Sequence, residues 1–376
     1  MTLAASHALG PRLKGGIAVG QPGAGITPTH ITWIDGAHPV PDERSVRAAS
    51  TAIELAREAR VSGDLVLVLL SGGASAMMAA PADGVSLADK RRTTEALMKA
   101  GASIAQLNCV RRHLSRIKGG RLGAEAGACL TLAISDVHTP DDDPVTIGSG
   151  PTVGDATTYA DAIEVVEDLA CDVPASVRTH LARGLAGMIP ETPKPGAAEL
   201  RQATFRVIAN RHTAVQGAAD EARRRGYTVE TIREPTSGEA RIAGLQFVEA
   251  AIERGSSAAL RCTIGSGETT VRVKGNGRGG RNQEFVLGAA AALANAGAAV
   301  VLGSAGTDGV DGPTDAAGAI ASSSTLARCA ALGIDIADVL ARNDAYIALA
   351  QLGGLLVWGP TLTNVGDIHV MLTMKA

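Results

Sequence analysis

The sequence predicts an α/β protein of two domains, and three observations lead to this prediction. The chain has 376 residues, which is longer than one ordinary hydrophobic core supports. Aromatic residues make up only 2%, while alanine, glycine and aliphatic residues are abundant, as in helices packed closely on a parallel sheet. Continuous apolar runs of strand length also alternate with helical patterns and end in turns of small polar residues.

Composition and charge argue against several classes of function. A net charge of −3 gives no indication of the basic surface that binds nucleic acid, and the aromatic residues that stack on the bases of single strands are scarce. The five cysteines are scattered without a CxxC pair, which argues against a disulfide scaffold and a structural zinc site. The sequence has no apolar run of about 18 residues and no signal-peptide pattern at its start, so we expect a cytoplasmic protein without a membrane partner.

The N-terminal half begins with the end of a helical pattern in residues 1–16 and a strand at Ile17–Val19. In the proline-containing turn His38–Glu43, Asp42 is placed to cap the helix that follows. The apolar run Asp64–Leu70 predicts a strand buried on both faces. It ends in a Ser-Gly-Gly turn before a helix start, which is typical of an anion-binding turn, although a tight connection without a ligand is the alternative.

A basic block, Asn108–Arg121, follows a predicted amphipathic helix at Leu87–Ala100. At helical spacing Arg111, Ser115 and Lys118 share one side, which favours contact with an anionic ligand. A solvated charged face is the competing interpretation.

The next apolar strand, Cys129–Ser135, is followed directly by Asp136. A carboxylate at the carboxyl end of a strand is well placed to bind Mg²⁺ or to accept the proton of a substrate hydroxyl. The later acidic residues Asp141 and Asp143 fit a solvated loop, so Asp136 is the candidate.

A proline-rich run, Ile189–Gly196, is the predicted linker, which gives expected domains of 1–195 and 201–376. A second α/β pattern follows, and its first strand is expected at Phe205–Ala209. Near the end of the chain, Trp358–Asp367 is a loop of small polar residues before the last strand.

The stretch Val271–Glu284 is the feature around which the second half is organised. It starts with alternating β-type residues, breaks into a loop of glycines with two arginines, and then enters a helical run. A strand, a glycine-rich turn and a helix start together form an anion site, and arginine supplies forked donors for phosphate. The residues concerned are Gly275, Gly277, Arg278, Gly279, Gly280 and Arg281.

The same stretch formally matches the dinucleotide fingerprint G-x-G-x-x-G. The next strand, however, ends at Val300–Ser304 without the acid that would bind the ribose hydroxyls. A further glycine-rich loop then carries Asp308, Asp311 and Asp315, of which Asp311 fits an ordinary turn.

Taken together, these motifs resemble the glycerate 2-kinase (type II glycerate kinase) family, whose members often carry the label hydroxypyruvate reductase. The motifs, in order, are HPVPDE, LLSGGASA, N-x-x-R-x-H-L-S-x-I-K-G-G-R, SDV with GSGPT, and GSGETTVRVKGNGRGGRNQE with GTDGVDGPTDAAG. The resemblance covers nearly the whole chain. It implies an N-terminal Rossmann-like parallel-sheet α/β sandwich, a C-terminal α/β MOFRL domain, and an active site in the cleft between them.

The resemblance also implies transfer of the ATP γ-phosphate to the 2-hydroxyl of D-glycerate, with Mg²⁺. By position, Asp136, Arg281 and Asp308 fall where the family's active-site groups lie, with Asp136 and Asp308 as metal ligands. Glu268 joins the glycine loop as a nucleotide-binding residue. We assign the glycerate carboxylate to Ser71, Gly72, Gly73, Ser75, Arg111 and Lys118.

Two departures from the family pattern leave alternatives open. The family has a G-x-G-K-A turn whose lysine acts on the transferred phosphoryl group, and this sequence does not contain it. We therefore expect either a start further upstream or impaired catalysis. The SDV loop is also longer than usual. An NAD(P)H-dependent hydroxypyruvate reductase and a binding protein without turnover are the alternatives, and a homodimer is left open.

Overall fold

The computed structural model describes residues 1–20, 28–138, 140–254, 260–297 and 299–374. The chain packs into two compact units. The first contains Met1–Ile134 and Thr139–Ile208, and the second contains Ser135–His138 and Ala209–Ala376. The predicted α/β class is confirmed, with helices and parallel strand pairs in both units. The domain limits at 195 and 201 stay a prediction.

Two small sheets form the first unit. Its strands are β1 (Gly16–Gly20), β2 (Ile31–Asp35), β3 (Val66–Leu70), β4 (Cys129–Ile134) and β5 (Ala203–Ala209). β1 pairs in parallel with β2, and β4 lies between β3 and β5. β5, which contains the strand predicted at Phe205–Ala209 as the start of the C-terminal domain, therefore pairs with β4 instead. β3 lies at the sheet edge and is only half-buried before Leu70, so the prediction of burial on both faces was wrong.

The helices of the first unit surround these sheets. They are α1 (Thr2–Leu9), α2 (Glu43–Ser62), α3 (Ala74–Met77), α4 (Leu87–Lys99), α5 (Ile104–His113), α6 (Arg121–Ala126), α7 (Tyr159–Asp168) and α8 (Ala175–Leu185). Asp42 caps α2 as predicted, because its side chain accepts the backbone N–H of Arg44 at 2.9 Å.

The basic block is not one continuous helix, which corrects the argument from helical spacing. α5 ends at His113, and the chain turns through Gly119 and Gly120, whose φ angles are +59° and +79°. Such positive φ angles are incompatible with a right-handed helix and favour glycine. Arg111 and Lys118 therefore do not share a helix face.

A mixed sheet of six strands forms the centre of the second unit. Its strands are β6 (Thr228–Thr231), β7 (Leu260–Gly267), β8 (Ala299–Gly306), β9 (Gly318–Ser322), β10 (Leu355–Leu356) and β11 (Asp367–Met374). The spatial order is β10-β9-β8-β11-β7-β6. β11 is antiparallel to both β7 and β8, so the last strand of the chain is interior to the sheet and held from both sides.

The helices of the second unit pack on this sheet around an aliphatic core with two phenylalanines. They are α9 (Arg211–Arg224), α10 (Ala240–Glu253), α11 (Arg281–Gly288), α12 (Ala290–Ala294), α13 (Thr325–Ala331), α14 (Ile336–Ala341) and α15 (Ala345–Gln351). α10 and α11 approach closely at Gly244, where a Cβ atom would lie 2.0 Å from the carbonyl oxygen of Phe285.

The alternating residues at Val271–Val273 do not form a strand, which is a second correction. β7 ends at Gly267, and the chain is irregular from 271 to 280 before α11 begins at Arg281. The physical reason is that backbone N–H groups of this loop bond to the side chains of Asn343 and Asp344. None of the described helices is long and apolar enough to cross a membrane.

Candidate active site

In the first unit, two cations converge on the hydroxyl of Ser75. Ser75 lies in α3, directly after the Ser-Gly-Gly turn, where Gly73 has a φ of +80°. Arg111 Nη2 and Lys118 Nζ each donate to Ser75 Oγ at 2.6 Å, and Lys118 also donates to the Ser75 carbonyl at 3.0 Å. Tertiary packing therefore brings together three of the predicted substrate-binding side chains.

Two residues outside the predicted set complete the hydrogen-bond chain. Ser149 Oγ donates to Asn108 Oδ1 at 3.0 Å and lies 3.1 Å from Ser75 Oγ. Because the Ser149 hydroxyl donates its proton to Asn108, the Ser75 hydroxyl must be the donor in its contact with Ser149. Both lone pairs of Ser75 Oγ can then accept the hydrogen bonds from Arg111 and Lys118. The GSGPT motif that contains Ser149 was the available sequence signal.

A further basic residue, the buried Lys90, belongs to the same region and was missed from sequence. Its Nζ donates to the carbonyl of Leu114 at 2.7 Å. Burial and the charge of Arg111 lower the pKa of Lys90 to about 7. Burial, with the charges of Arg111 and Lys90, holds the pKa of Lys118 well below its usual value. Lys90 lies on the helix that was predicted as amphipathic, and the sequence does not distinguish it from the other charged residues of that helix.

This group of Lys90, Arg111 and Lys118 is called the cation cluster here. Within the described ranges, none of its members is ion-paired with a carboxylate. An anion bound among them would stabilise the charged forms that burial disfavours, so the cluster favours an anion. Arg111 and Lys118, which both donate to the Ser75 hydroxyl, suit a small carboxylate or phosphate.

In the second unit, Arg281 forms a forked ion pair with Asp367. Arg281 Nε donates to Asp367 Oδ2 at 2.6 Å, and Nη2 donates to Oδ1 at 2.9 Å. The Asp367 side chain is 0% exposed, whereas 28% of the Arg281 side chain is accessible. Burial opposes the charge of Arg281, but the bonds and charge of Asp367 outweigh it and raise the pKa of the guanidinium.

The remaining predicted acidic residues surround this pair. Arg281 Nη1 lies 3.4 Å from Glu268 Oε1. Partial burial raises the pKa of Glu268, as do the charges of Asp367, Asp136 and Asp308, while Arg281 opposes the rise. Asn364 Nδ2 donates to Asp136 Oδ2 at 3.4 Å, and Asp308 Oδ1 accepts the N–H of Val310 at 3.0 Å. Asp136, Arg281, Asp308 and Glu268 therefore lie in one unit.

The acidic side chains around Arg281 would supply only part of the ligand set of a metal ion. In the part of the chain that the structure describes, no group of three or more His, Cys, Asp or Glu side chains is arranged to hold a metal. Mg²⁺ in nucleotide sites commonly takes one or two carboxylates, with substrate phosphates and water as its other ligands. The oxygens of Asp136 and Asp308 fit such a partial ligand set and do not form a complete protein cage.

The glycine loop uses several of its N–H groups within the protein. Asn343 Oδ1 accepts the N–H groups of Lys274 and Gly275 at 2.7 and 3.0 Å, and the carbonyl of Arg342 accepts that of Gly277 at 2.9 Å. At Gly275 and Gly277, a Cβ atom would lie 2.4 and 2.5 Å from the Arg342 carbonyl oxygen. These two glycines therefore permit close packing against the segment 342–344.

The start of α11 is likewise engaged. Asp311 Oδ1 and Oδ2 accept the backbone N–H groups of Asn282 and Gln283, both at 3.0 Å. A Cβ atom at Gly280 would lie 2.3 Å from Asp311 Cγ, so glycine is required for the carboxylate to approach. Asp311 is buried, and its interpretation as an ordinary turn residue did not foresee that its carboxylate binds the start of α11.

Arg278 is separate from this buried group and is exposed. Its guanidinium lies 4.5 Å from the ring centre of Tyr346, and its Nε donates to the carbonyl of Pro313 at 3.3 Å. The Tyr346 hydroxyl donates to Asp315 at 2.6 Å. A cation held flat on an aromatic ring keeps other N–H donors available for an anionic ligand.

Comparison with known proteins places the chain in a family. A family model described as a domain of unknown function (DUF4147) matches residues 1–182, and the MOFRL family matches residues 261–367. Glycerate 2-kinase of Pyrococcus horikoshii is 39% identical over 368 residues, which cover 96% of this chain and 82% of that protein. A putative hydroxypyruvate reductase of Agrobacterium vitis is 41% identical over 95% of this chain and 81% of its own length.

A solved structure gives the same result for the fold. The crystal structure of glycerate kinase from Thermotoga maritima superposes with a TM-score of 0.88 at 37% identity, over 100% of this chain and 88% of that chain. The expected fold and family are therefore confirmed: the chain belongs to the glycerate kinase family.

Proposed function

We propose that this protein is a kinase that transfers the γ-phosphate of ATP to the 2-hydroxyl of D-glycerate, giving 2-phosphoglycerate. The observation that carries the proposal is the cation cluster around Ser75. Half-buried Arg111 and buried Lys118 both donate to Ser75 Oγ, with buried Lys90 close enough to act on their charges, and none of the three has a carboxylate partner among the described residues. Such a site suits a small carboxylated acceptor better than a neutral sugar or alcohol. The name and similarity of the Pyrococcus relative support glycerate as that acceptor.

At the acceptor end, the glycerate carboxylate binds between Arg111 and Lys118. Each of these side chains already donates to an oxygen, Ser75 Oγ, at 2.6 Å, so each is directed towards an acceptor. A carboxylate oxygen is a stronger acceptor than a hydroxyl and gains charge-assisted hydrogen bonds from both cations. The turn formed by Ser71, Gly72 and Gly73 supplies the wall on which the small substrate rests.

At the nucleotide end, Arg281 and Arg278 neutralise the phosphates. Asp367 binds one edge of the Arg281 guanidinium, so the Nη1 edge next to Glu268 is the one directed to a ligand. Gly275 and Gly277 shape the loop by packing on residues 342–344, and Gly279 and Gly280 bring it to the start of α11. Glu268, whose carboxylate is exposed and lies 3.4 Å from Arg281 Nη1, would face the bound nucleotide.

Phosphoryl transfer requires positioning and charge neutralisation more than covalent assistance. Asp136 orients the attacking hydroxyl and accepts its proton, and Asp136 and Asp308 would hold Mg²⁺ when it is bound. When bound, Mg²⁺ supplies charge neutralisation on the transferred phosphoryl oxygens. The choice of the 2-hydroxyl follows from the family alone.

A hydroxypyruvate reductase is the second candidate, because a relative carries that name and the glycine loop matches a dinucleotide fingerprint. The geometry does not favour it. A dinucleotide loop connects a strand to a helix, and here the residues before Gly275 form no strand. The N–H groups of Gly275 and Gly277 are also bonded to residues 342–343.

The test supplies D-glycerate with Mg-ATP and, separately, hydroxypyruvate with NADH or NADPH. We expect ADP and a phosphorylated glycerate in the first assay and no nicotinamide oxidation in the second. Phosphorus NMR of the product distinguishes phosphorylation at O2 from O3. Nicotinamide oxidation without ADP formation would replace the kinase by the reductase, and tight ATP binding without turnover would indicate a binding protein.

A further inference from the structure

One loop segment, residues 361–367, contacts two of the three proposed catalytic side chains of the second unit, Arg281 and Asp136. The sequence shows it only as small polar residues before the last strand. Asp367, its last residue, binds Arg281 through two hydrogen bonds of 2.6 and 2.9 Å. Asn364, three residues earlier, donates to Asp136 at 3.4 Å.

Asp367 is built to hold a guanidinium in one plane. It is the first residue of β11, paired with Gly267 of β7 on one side and Gly306 of β8 on the other. A Cβ atom at Gly306 would lie 2.8 Å from Asp308 Oδ1, so the glycine that pairs with Asp367 leaves room for the neighbouring Asp308 carboxylate. Because guanidinium is planar and rigid, two bonds along one edge fix the direction of the opposite edge.

Asn364 connects Asp136 to the loop that carries Asp308. Its Oδ1 accepts the N–H of Gly366 at 3.0 Å and lies 3.4 Å from the Thr307 hydroxyl oxygen. Thr307 donates to the carbonyl of Gly366, from its hydroxyl at 2.6 Å and from its N–H at 3.0 Å. The side chain amide of Asn364 is thus held in one orientation, with its Nδ2 directed to Asp136.

The same segment is tied to Asp308 itself. The N–H of Thr361 donates to the Asp308 carbonyl at 2.9 Å, and the Thr361 hydroxyl donates to the Thr307 carbonyl at 2.5 Å. The backbones also meet closely at Gly309, where a Cβ atom would lie 2.1 Å from the Gly359 carbonyl oxygen. One segment therefore contacts Arg281, Asp136 and the Asp308 loop.

We propose that residues 361–367 are a positioning segment, in which Asp367 sets the plane of Arg281 and Asn364 sets the carboxylate of Asp136. The inference rests on the proposed kinase function, since it assigns Asp367 and Asn364 to that site. Neither residue touches the reacting groups. Each acts by holding a side chain that does.

Asp367→Asn tests the first half, because it keeps the side-chain volume and removes one accepting oxygen and the charge. We expect kcat with saturating ATP and D-glycerate to fall about 100-fold. The KM for D-glycerate should change less than about threefold, because Ser75, Arg111 and Lys118 lie in the other unit. The matched control is Glu221→Gln, which breaks an exposed forked pair with Arg224 and should leave kcat unchanged.

A double-mutant cycle that measures ADP affinity tests Asp367 without D-glycerate and without turnover. Asp367→Asn should weaken ADP binding in the wild-type background and have no effect in Arg281→Ala. Additive losses in the two variants would overturn the positioning role. If D-glycerate is not phosphorylated at all, the proposed function fails, whereas the ADP cycle still decides the role of Asp367.

Asn364→Asp tests the second half and remains available if Asp367→Asn does not fold. It keeps the side-chain oxygen that accepts the N–H of Gly366 and removes the amide N–H that donates to Asp136. We expect kcat to fall about 10-fold, with the affinity for ADP unchanged because Arg281 keeps its partner Asp367. An unchanged kcat, or an equal loss of ADP affinity, would contradict the assignment of Asn364.

Discussion

The carboxylate of Asp311 binds the backbone N–H of Gln283 at 3.0 Å and that of Asn282 at the same distance. It therefore occupies the positive end of α11, where the sequence suggested that a phosphate would bind. A ligand phosphate at these two N–H groups would have to displace a buried carboxylate. Recognition of an anion at this end of the loop consequently depends on the guanidinium of Arg281.

Replacing Asp311 should therefore affect stability first. Asp311→Asn removes the charge that faces the helix start and leaves one N–H with a poorer partner, so we expect a loss of about 1–3 kcal/mol in the free energy of unfolding. Denaturant unfolding measures this loss. Asp315→Asn is the control, because Asp315 is exposed and bonds Tyr346, and it should change stability by less than about 0.5 kcal/mol. Equal effects of the two variants would show that Asp311 is not a structural anion.

Arg281→Ala should abolish most of the turnover. The loss of the proposed phosphate contact leaves Asp367 as a buried carboxylate without a partner, and we expect kcat to fall about 1,000-fold. Arg278→Ala should act mainly on the KM for ATP, by about 10-fold, since Arg278 is exposed and held by an aromatic ring. Steady-state kinetics with both substrates separates the two effects. Unchanged kinetics in Arg281→Ala would remove it from the site.

Lys118→Met and Ser75→Ala should weaken D-glycerate binding. Lys118 loses its charge but keeps most of its buried volume, so a rise of about 10- to 100-fold in the KM for D-glycerate is expected, with the KM for ATP nearly constant. Lys14→Met is the matched control, because Lys14 forms an exposed pair with Asp64. A larger change in the KM for ATP than for D-glycerate would move the acceptor away from the cation cluster.

The cation cluster also predicts proton uptake when an anion binds. Burial lowers the pKa of Lys90 to about 7, so at pH 8 much of Lys90 is neutral in the free protein. A bound carboxylate favours the charged form and raises this pKa, and a proton is taken up. Calorimetric titration with D-glycerate at pH 8, in two buffers with different ionisation enthalpies, measures that uptake. Lys90→Met should abolish most of it.

The same shift gives the sign of the pH dependence of stability. The folded pKa of Lys90 lies below its ordinary value of 10.5, so the unfolded chain binds more protons between about pH 7 and 10.5. Stability of the anion-free protein should therefore gain from Lys90 as the pH rises through this window, and Lys90→Met should lose that gain. A steeper rise in the variant than in the wild type would contradict this assignment.

Local features were the part of the fold that sequence patterns predicted well. Asp42 caps α2, and the helix expected at Leu87–Ala100 is α4, because capping and amphipathic periodicity depend on neighbours within a few residues. The wrong predictions extended a spacing pattern past the residues over which it determines structure. The helix predicted through Lys118 ends at His113 before the turn at Gly119 and Gly120. The strand predicted at Val271–Val273 is absent, and its loop bonds instead to the distant Asn343.

The sequence by itself determined the α/β class, the family, and the residue types available to the site. Those properties follow from composition, periodicity and motifs, which lie along the chain. Only the tertiary structure decided which side chains meet: Ser75 with Lys118, Arg281 with Asp367, and Asp311 with the start of α11. Arg281 and Asp367 are 86 positions apart, and no local rule pairs residues at that separation. Their contact depends on β11 being inserted between β7 and β8, which is a property of the packed sheet.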